Sequence, residues 1–145
     1  MAELLVVVAV IGVLVTLGTP YAMTYLQSAK VKAGAQELAT VINGARQLAI
    51  ARNTNVCVTL QGTSATYRLG VSAACAGGTL FVGTLTRSDG TMPLSNDMAI
   101  TATTANVVFS PLGAALVAGT YTVHNSQGAN DRQVVVSASG RIRIN

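Results

Sequence analysis

The sequence predicts an α+β protein in which one long N-terminal helix packs, through its second half, on a mostly antiparallel β-sheet. Three observations carry this. Residues 4–26 hold no Lys, Arg, Asp or Glu; residues 38–49 then place apolar side chains at steps of three and four; and from Val56 onward short runs rich in Val, Thr and Ile alternate with Gly, Ser and Asn turns. The first suits a helix apolar all round, the second one apolar on a single face, and the third antiparallel meanders. The 145-residue chain thus divides into residues 1–26, an apolar helical segment; 27–54, the amphipathic continuation of that helix; and 55–145, a β-rich globular part. The last two parts have room for one modest core.

The apolar part of the charge-free stretch, Leu4 to Leu26, is 23 residues long. As a helix it spans roughly 34 Å at about 1.5 Å per residue, enough to cross the hydrocarbon core of a bilayer. No basic region precedes it and no small-residue cleavage pattern follows, so it reads as a retained segment rather than a cleaved signal. Gly12, Gly18 and Pro20 weaken it: a glycine costs about 1 kcal/mol in a helix interior, and Pro20 removes the hydrogen bond back to Thr16. A kink or unwound turn between Gly12 and Pro20 is one expectation, and plain tolerance of both residue types in a membrane helix is the other. Tyr21 and Tyr25 fit either interfacial aromatics or packing residues.

Leu38, Val41, Ile42, Ala45, Leu48 and Ala49 form the stripe of the second half, with Lys30, Lys32, Glu37, Arg46 and Arg52 as the nearby charges. Asn53-Thr54-Asn55 is a breaker cluster, so the helix should end between Arg52 and Thr54. Strands are expected at 56–60, 66–71, 79–82, 98–103, 106–109, 120–124, 133–136 and 141–144. Residues 73–78 and 84–93 read as loops, punctuated by Gly77-Gly78, Asp89-Gly90 and Pro93.

Composition agrees with a small β-rich body: 10% of residues are charged, 4% are aromatic and none is Trp, which leaves Val, Ile, Leu, Ala and Thr to build it. The net charge is +4, and residues 30–145 carry all nine basic and four of the five acidic residues, +5 in total. Such an excess serves ordinary solubility or favours nucleic acid or anionic lipid. Cys57 and Cys75 lie 18 apart, beyond the apolar segment. A disulfide between them would contribute roughly 3 kcal/mol by closing that loop; two buried free thiols are the alternative.

Catalysis, metals and cofactors find no pattern to rest on. His124 is the lone histidine and sits in an expected strand; two Cys and one His lack zinc-ligand spacing. No Gly-x-Ser-x-Gly elbow or Gly-rich phosphate loop is present, and Asp89 and Asp97 flank a loop without the spacing of a calcium site.

Several stretches resemble a known family. Glu3-Leu4-Leu5-Val6-Val7-Val8-Ala9-Val10-Ile11-Gly12-Val13-Leu14, then Pro20, is similar to the N-terminal signature of type IV pilins and type II secretion pseudopilins. Ala45-Arg46, Ala49-Ile50-Ala51-Arg52-Asn53 and Val56-Cys57, with Phe109-Ser110-Pro111-Leu112-Gly113 and Gly140-Arg141-Ile142-Arg143-Ile144, resemble the minor, GspH/FimT-like subclass. Family members carry a basic leader and a Phe-Thr-Leu-Ile-like stretch before the glutamate, whereas Met1 and Ala2 precede Glu3 here.

The resemblance implies a pilin-like fold and a structural subunit stored in the bacterial inner membrane with its body in the periplasm. Its partners would be other pilin or pseudopilin subunits, in a type IV pilus or related filament or at the tip of a secretion pseudopilus. It implies that Glu3, with Gly12 and Pro20, serves assembly, Glu3 pairing with the N-terminal amine of a neighbouring subunit. An apolar helix should give that carboxylate a partner, since ionised groups are costly at membrane depth; an interfacial acid favoured by the helix dipole is the alternative. It also implies DNA capture by the Gly-Arg-x-Arg motif. Strand alternation puts Arg141 and Arg143 on one face, about 7 Å apart, a spacing that suits successive phosphates. Arg132, Arg68 and Arg87 are candidates to extend that patch. Two exposed arginines that simply deter pairing at a sheet edge are the structural alternative.

Overall fold

The computed structural model describes residues 2–84, 86–94, 98–124 and 131–145, with the helical backbone but not the side chains of 15–22. Among the described residues a single helix, α1 (Ala2–Arg52), precedes ten strands. The unwound turn expected between Gly12 and Pro20 is not found, because α1 runs unbroken through both residues. A proline forfeits its own N–H bond and crowds the carbonyl four residues back, and a long helix can absorb both without unwinding. The helix ends where Asn53-Thr54-Asn55 predicted. Asn53 adopts φ of 47°, and Thr54 N–H donates to Ala49 O while Asn53 N–H donates to Ile50 O, the paired bonds of a left-handed helix stop.

In place of the one sheet expected, there are two. The first contains β1 (Val56–Gln61), β2 (Ser64–Leu69), β3 (Thr79–Leu80), β4 (Thr91–Pro93), β6 (Asn106–Phe109) and β7 (Ala115–Val117), in the order β3-β2-β1-β6-β7, with β4 also on β2. The second contains β5 (Ala99–Ala102), β8 (Gly119–His124), β9 (Arg132–Val136) and β10 (Ile142–Ile144), in the order β10-β9-β8-β5. All recorded pairings are antiparallel. The loop expected at 84–93 contains β4, and β7 was also unforeseen. Both are three residues long, too short for alternation to register.

The second half of α1 lies across both sheets, touching β1, β2 and β6 of one and β8, β9 and β10 of the other. Val31, Ala35, Leu38, Ile42, Ala45 and Ala49 are fully buried. Their steps of four and three make one stripe, and it packs on Val58, Tyr67, Phe109, Tyr121, Val123 and Val134. Each Val, Leu or Ile side chain buried there stabilises by about 1.5–3 kcal/mol, and each Ala by less. Val41 and Leu48, expected in the same stripe, are half-buried at its margin.

Val56, Cys57 and Val58 are buried in succession, which a strand allows only when both faces are covered. Val56 and Val58 face the helix, while Cys57 packs with Val71 and Val108 and with the partly buried Cys75 and Val117. The Cys57–Cys75 disulfide ties the loop after β2 over this outer face, so the free-thiol alternative falls away. Asn55 Nδ2 donates to Val71 O at 3.1 Å, and Arg68 Nη1 to Gly77 O at 3.2 Å.

Candidate functional site

Two regions concern function: the free half of α1 and the junction where the two sheets meet. On the free half, Leu4, Leu5, Val6, Val7, Val8, Val10, Ile11, Val13 and Leu14 are 53–73% exposed. Nine large apolar side chains along more than two turns point in all directions, so this segment presents apolar surface all round. Met23, Tyr25 and Leu26 continue the exposure. Glu3 stands in the first turn. A Cβ built on Gly12 meets nothing within 4 Å, so no contact among the described residues requires a glycine there. Pro20 and Tyr21 belong to α1, but their side chains lie outside the described ones. Among the described residues no helix is long and apolar enough to cross a membrane; the stretch read as a span includes residues 15–22.

The junction gathers three motifs that are far apart in sequence. Arg46, half-buried on α1, donates from Nε to Gly113 O at 3.0 Å. Gly113 closes the tight turn after β6, its N–H donating to Ser110 O at 2.8 Å. Gly140 sits against the same carbonyl: a Cβ there would lie 1.9 Å from Gly113 O and 3.3 Å from Arg46 Nε, and its φ is +77°. Ala115 N–H donates across to Ala138 O at 3.0 Å. The Arg46, Ser110–Gly113 and Gly140 motifs thus form one clamp that fixes both sheets to the helix.

The clamp places the C-terminal strand. Arg143 lies in β10, an edge strand, and Arg141 just before it; both are exposed, and Ile142 is half-buried. Arg143 pairs with Val135, while Ile142 and Ile144 pair with the core residues Val136 and Val134. The two arginines therefore occupy the outer face, as alternation predicted. Arg132 has the parity of Val134 and Val136 and pairs with Val123, so it lies on the opposite face and does not extend the patch. Arg68 is in the other sheet and bonded to Gly77 O, and Arg87 is in the loop before β4. His124 is half-buried at the end of β8. Asp89 accepts from Thr91 N–H and Oγ1 at 3.0 and 2.6 Å; these bonds hold its carboxyl below the usual range and give it a turn-forming role. Asp97 lies outside the described residues. The partnership of Arg46 with Gly113 was not legible in the sequence, where Ala45-Arg46 stood only as one of the family-like motifs.

Comparisons with known proteins bear on this arrangement. The chain resembles the type IV minor pilin FimU of Pseudomonas aeruginosa, with a TM-score of 0.61 and 16% identity over 83% of this chain and 92% of that one. It also resembles the minor pseudopilin EpsH of the Vibrio cholerae type 2 secretion system (TM-score 0.62, 12% identity, 80% and 96% covered). A third match is the solution structure of Escherichia coli GspH (TM-score 0.61, 9% identity, 81% and 89% covered). At these identities the likeness shows the pilin-like α+β fold. A search of curated proteins finds no significant match. The family model for type II transport protein GspH matches residues 34–140, a span that contains Arg46, Gly113 and Gly140 together, and the chain belongs to that family of structural, non-enzymatic pseudopilins.

Proposed function

We propose that the protein is a minor filament subunit that assembles through residues 1–26 of α1 into a type IV pilus or a related secretion pseudopilus. The observation that carries the reading is the all-round exposure of the apolar residues from Leu4 to Leu14. Such a surface needs lipid or neighbouring helices, and a subunit moving from the inner membrane into a helical bundle exchanges the first for the second. In that transfer Glu3 pairs with the N-terminal amine of a neighbour and sets axial register, while Gly12 gives close approach between helices. Co-expression with the other subunits, followed by quantification in sheared fibres, tests this. Glu3→Gln should lower incorporation at least about tenfold, the equivalent of about 1.4 kcal/mol; undiminished incorporation removes the register role.

DNA capture through Arg141 and Arg143 is the second reading. Its support is the exposure of both on one outer face; Arg132, on the other face, leaves a patch of two. A shift assay at two salt concentrations with Arg141→Ala plus Arg143→Ala tests it, and unchanged binding rejects it.

A further inference from the structure

The free edge of β10 has a definite chemistry. Asn145 and Gln133 exchange both of their N–H···O bonds, and Ser137 N–H donates to Arg141 O. In an antiparallel ladder such bonded pairs alternate with unbonded ones. Residues 141, 143 and 145 therefore turn their backbone toward β9, and Ile142 and Ile144 turn N–H and C=O away from it. Among the described residues no strand covers that edge. Beyond it, Ile142, Ile144 and Ala39 line a concavity of about 450 Å³ whose floor is Gln36, Thr40 and Asn43 of α1.

That floor is unusual for an uncovered helix face. Gln36, Thr40, Asn43 and Gln47 follow one another at steps of four, three and four, roughly 150° round the axis from the buried stripe at about 100° per residue. A solvent-facing stripe normally carries charges; this one carries amides and a hydroxyl. It continues into a second concavity of about 700 Å³, walled by Val41, Leu48, Phe81 and Met92.

We propose that the β10 edge accepts an added strand from a different protein, an extended segment with aliphatic residues on one face and acidic residues on the other. The backbone groups of Ile142 and Ile144 supply ladder hydrogen bonds, as in other strand additions. Their side chains and Ala39 meet the aliphatic face, the amides of α1 lie alongside, and Arg141 and Arg143 meet the acidic face. A second copy of β10 does not fit, because an antiparallel pair centred on Arg143 sets two arginines directly opposite, which is destabilising. The contact is separate from the N-terminal helix and selects partners for the globular body.

The test uses the full chain, ¹⁵N-labelled in detergent micelles, and a synthetic peptide of alternating Val and Glu as probe. Peptide at millimolar concentration should slow exchange of the Ile142 and Ile144 amides by about tenfold, and a Val/Lys peptide should not. Arg143→Glu should reverse that preference. Ile144→Pro, which removes a donor outside the β9 ladder, should abolish protection while the remaining amide spectrum stays folded. Absence of protection at both isoleucines overturns the proposal, as does a DNA duplex protecting that edge where the Val/Glu peptide leaves it unchanged.

Discussion

Two buried tyrosines behave in opposite ways. The Tyr67 hydroxyl donates to Val41 O in the middle of α1, and Gly44 makes room for it, since a Cβ at 44 would lie 3.1 Å from that oxygen. Tyr121 is fully buried beside Thr104, and among the described residues its hydroxyl closes no hydrogen bond of ordinary geometry. Tyr67→Phe should therefore cost about 1 kcal/mol, whereas Tyr121→Phe should fall within about 0.5 kcal/mol of the parent or stabilise it, because an unpaired buried hydroxyl is itself a penalty. Urea titration of both variants separates them. Burial pushes the Tyr67 phenol up to about 12. The fold thus favours the protonated form; that contribution is complete below the ordinary value near 10 and is lost as pH rises from about 10 to 12. The parent should lose more stability across that window than Tyr67→Phe. Neither role was legible in the sequence, because a tyrosine's value here depends on which carbonyl the fold sets opposite it.

Elements separate what local pattern specifies from what long-range contact specifies. The end of α1 was legible because Asn53-Thr54-Asn55 carries its own backbone preference. The strand at Val56 was legible too, although not its burial on both faces, which depends on the disulfide-tied loop. Strand β4 was hidden because Asp89-Gly90 and Pro93 read as turn residues, yet Pro93 is tolerated on a strand that lies at the sheet edge. The family motifs at Arg46, Ser110–Gly113 and Gly140 were legible one by one, but only the fold makes them a clamp. Gly140→Ala introduces both a positive-φ side chain and a contact 1.9 Å from Gly113 O. It should destabilise by about 2–4 kcal/mol and disturb Ala115 and Arg46 together in an NMR spectrum. Replacing Cys57 and Cys75 jointly by Ala should cost about 3 kcal/mol and leave the helix-facing core intact; a larger loss would mean that the outer cluster is part of the core's cooperativity.

At the scale of the molecule, α1 serves two environments in sequence. Its second half is consumed by the core, which begins at Val31. Its first half gives the chain no buried side chain among those described. That division was legible because the change from uniform apolarity to a one-sided stripe is a change of period, which sequence records directly; the splitting of the β-region into two sheets was not, because no local pattern encodes which strand lies beside which. The division makes a sharp prediction. Removing residues 1–26 should leave the thermal midpoint within a few degrees of the parent's in detergent, corresponding to less than about 1 kcal/mol, while abolishing incorporation into fibres. Circular dichroism melts and fibre counts on the same preparation check both. A truncated protein that melts much earlier would mean that the free half braces the body, and its exposed residues could then no longer be assigned wholly to neighbouring subunits and lipid.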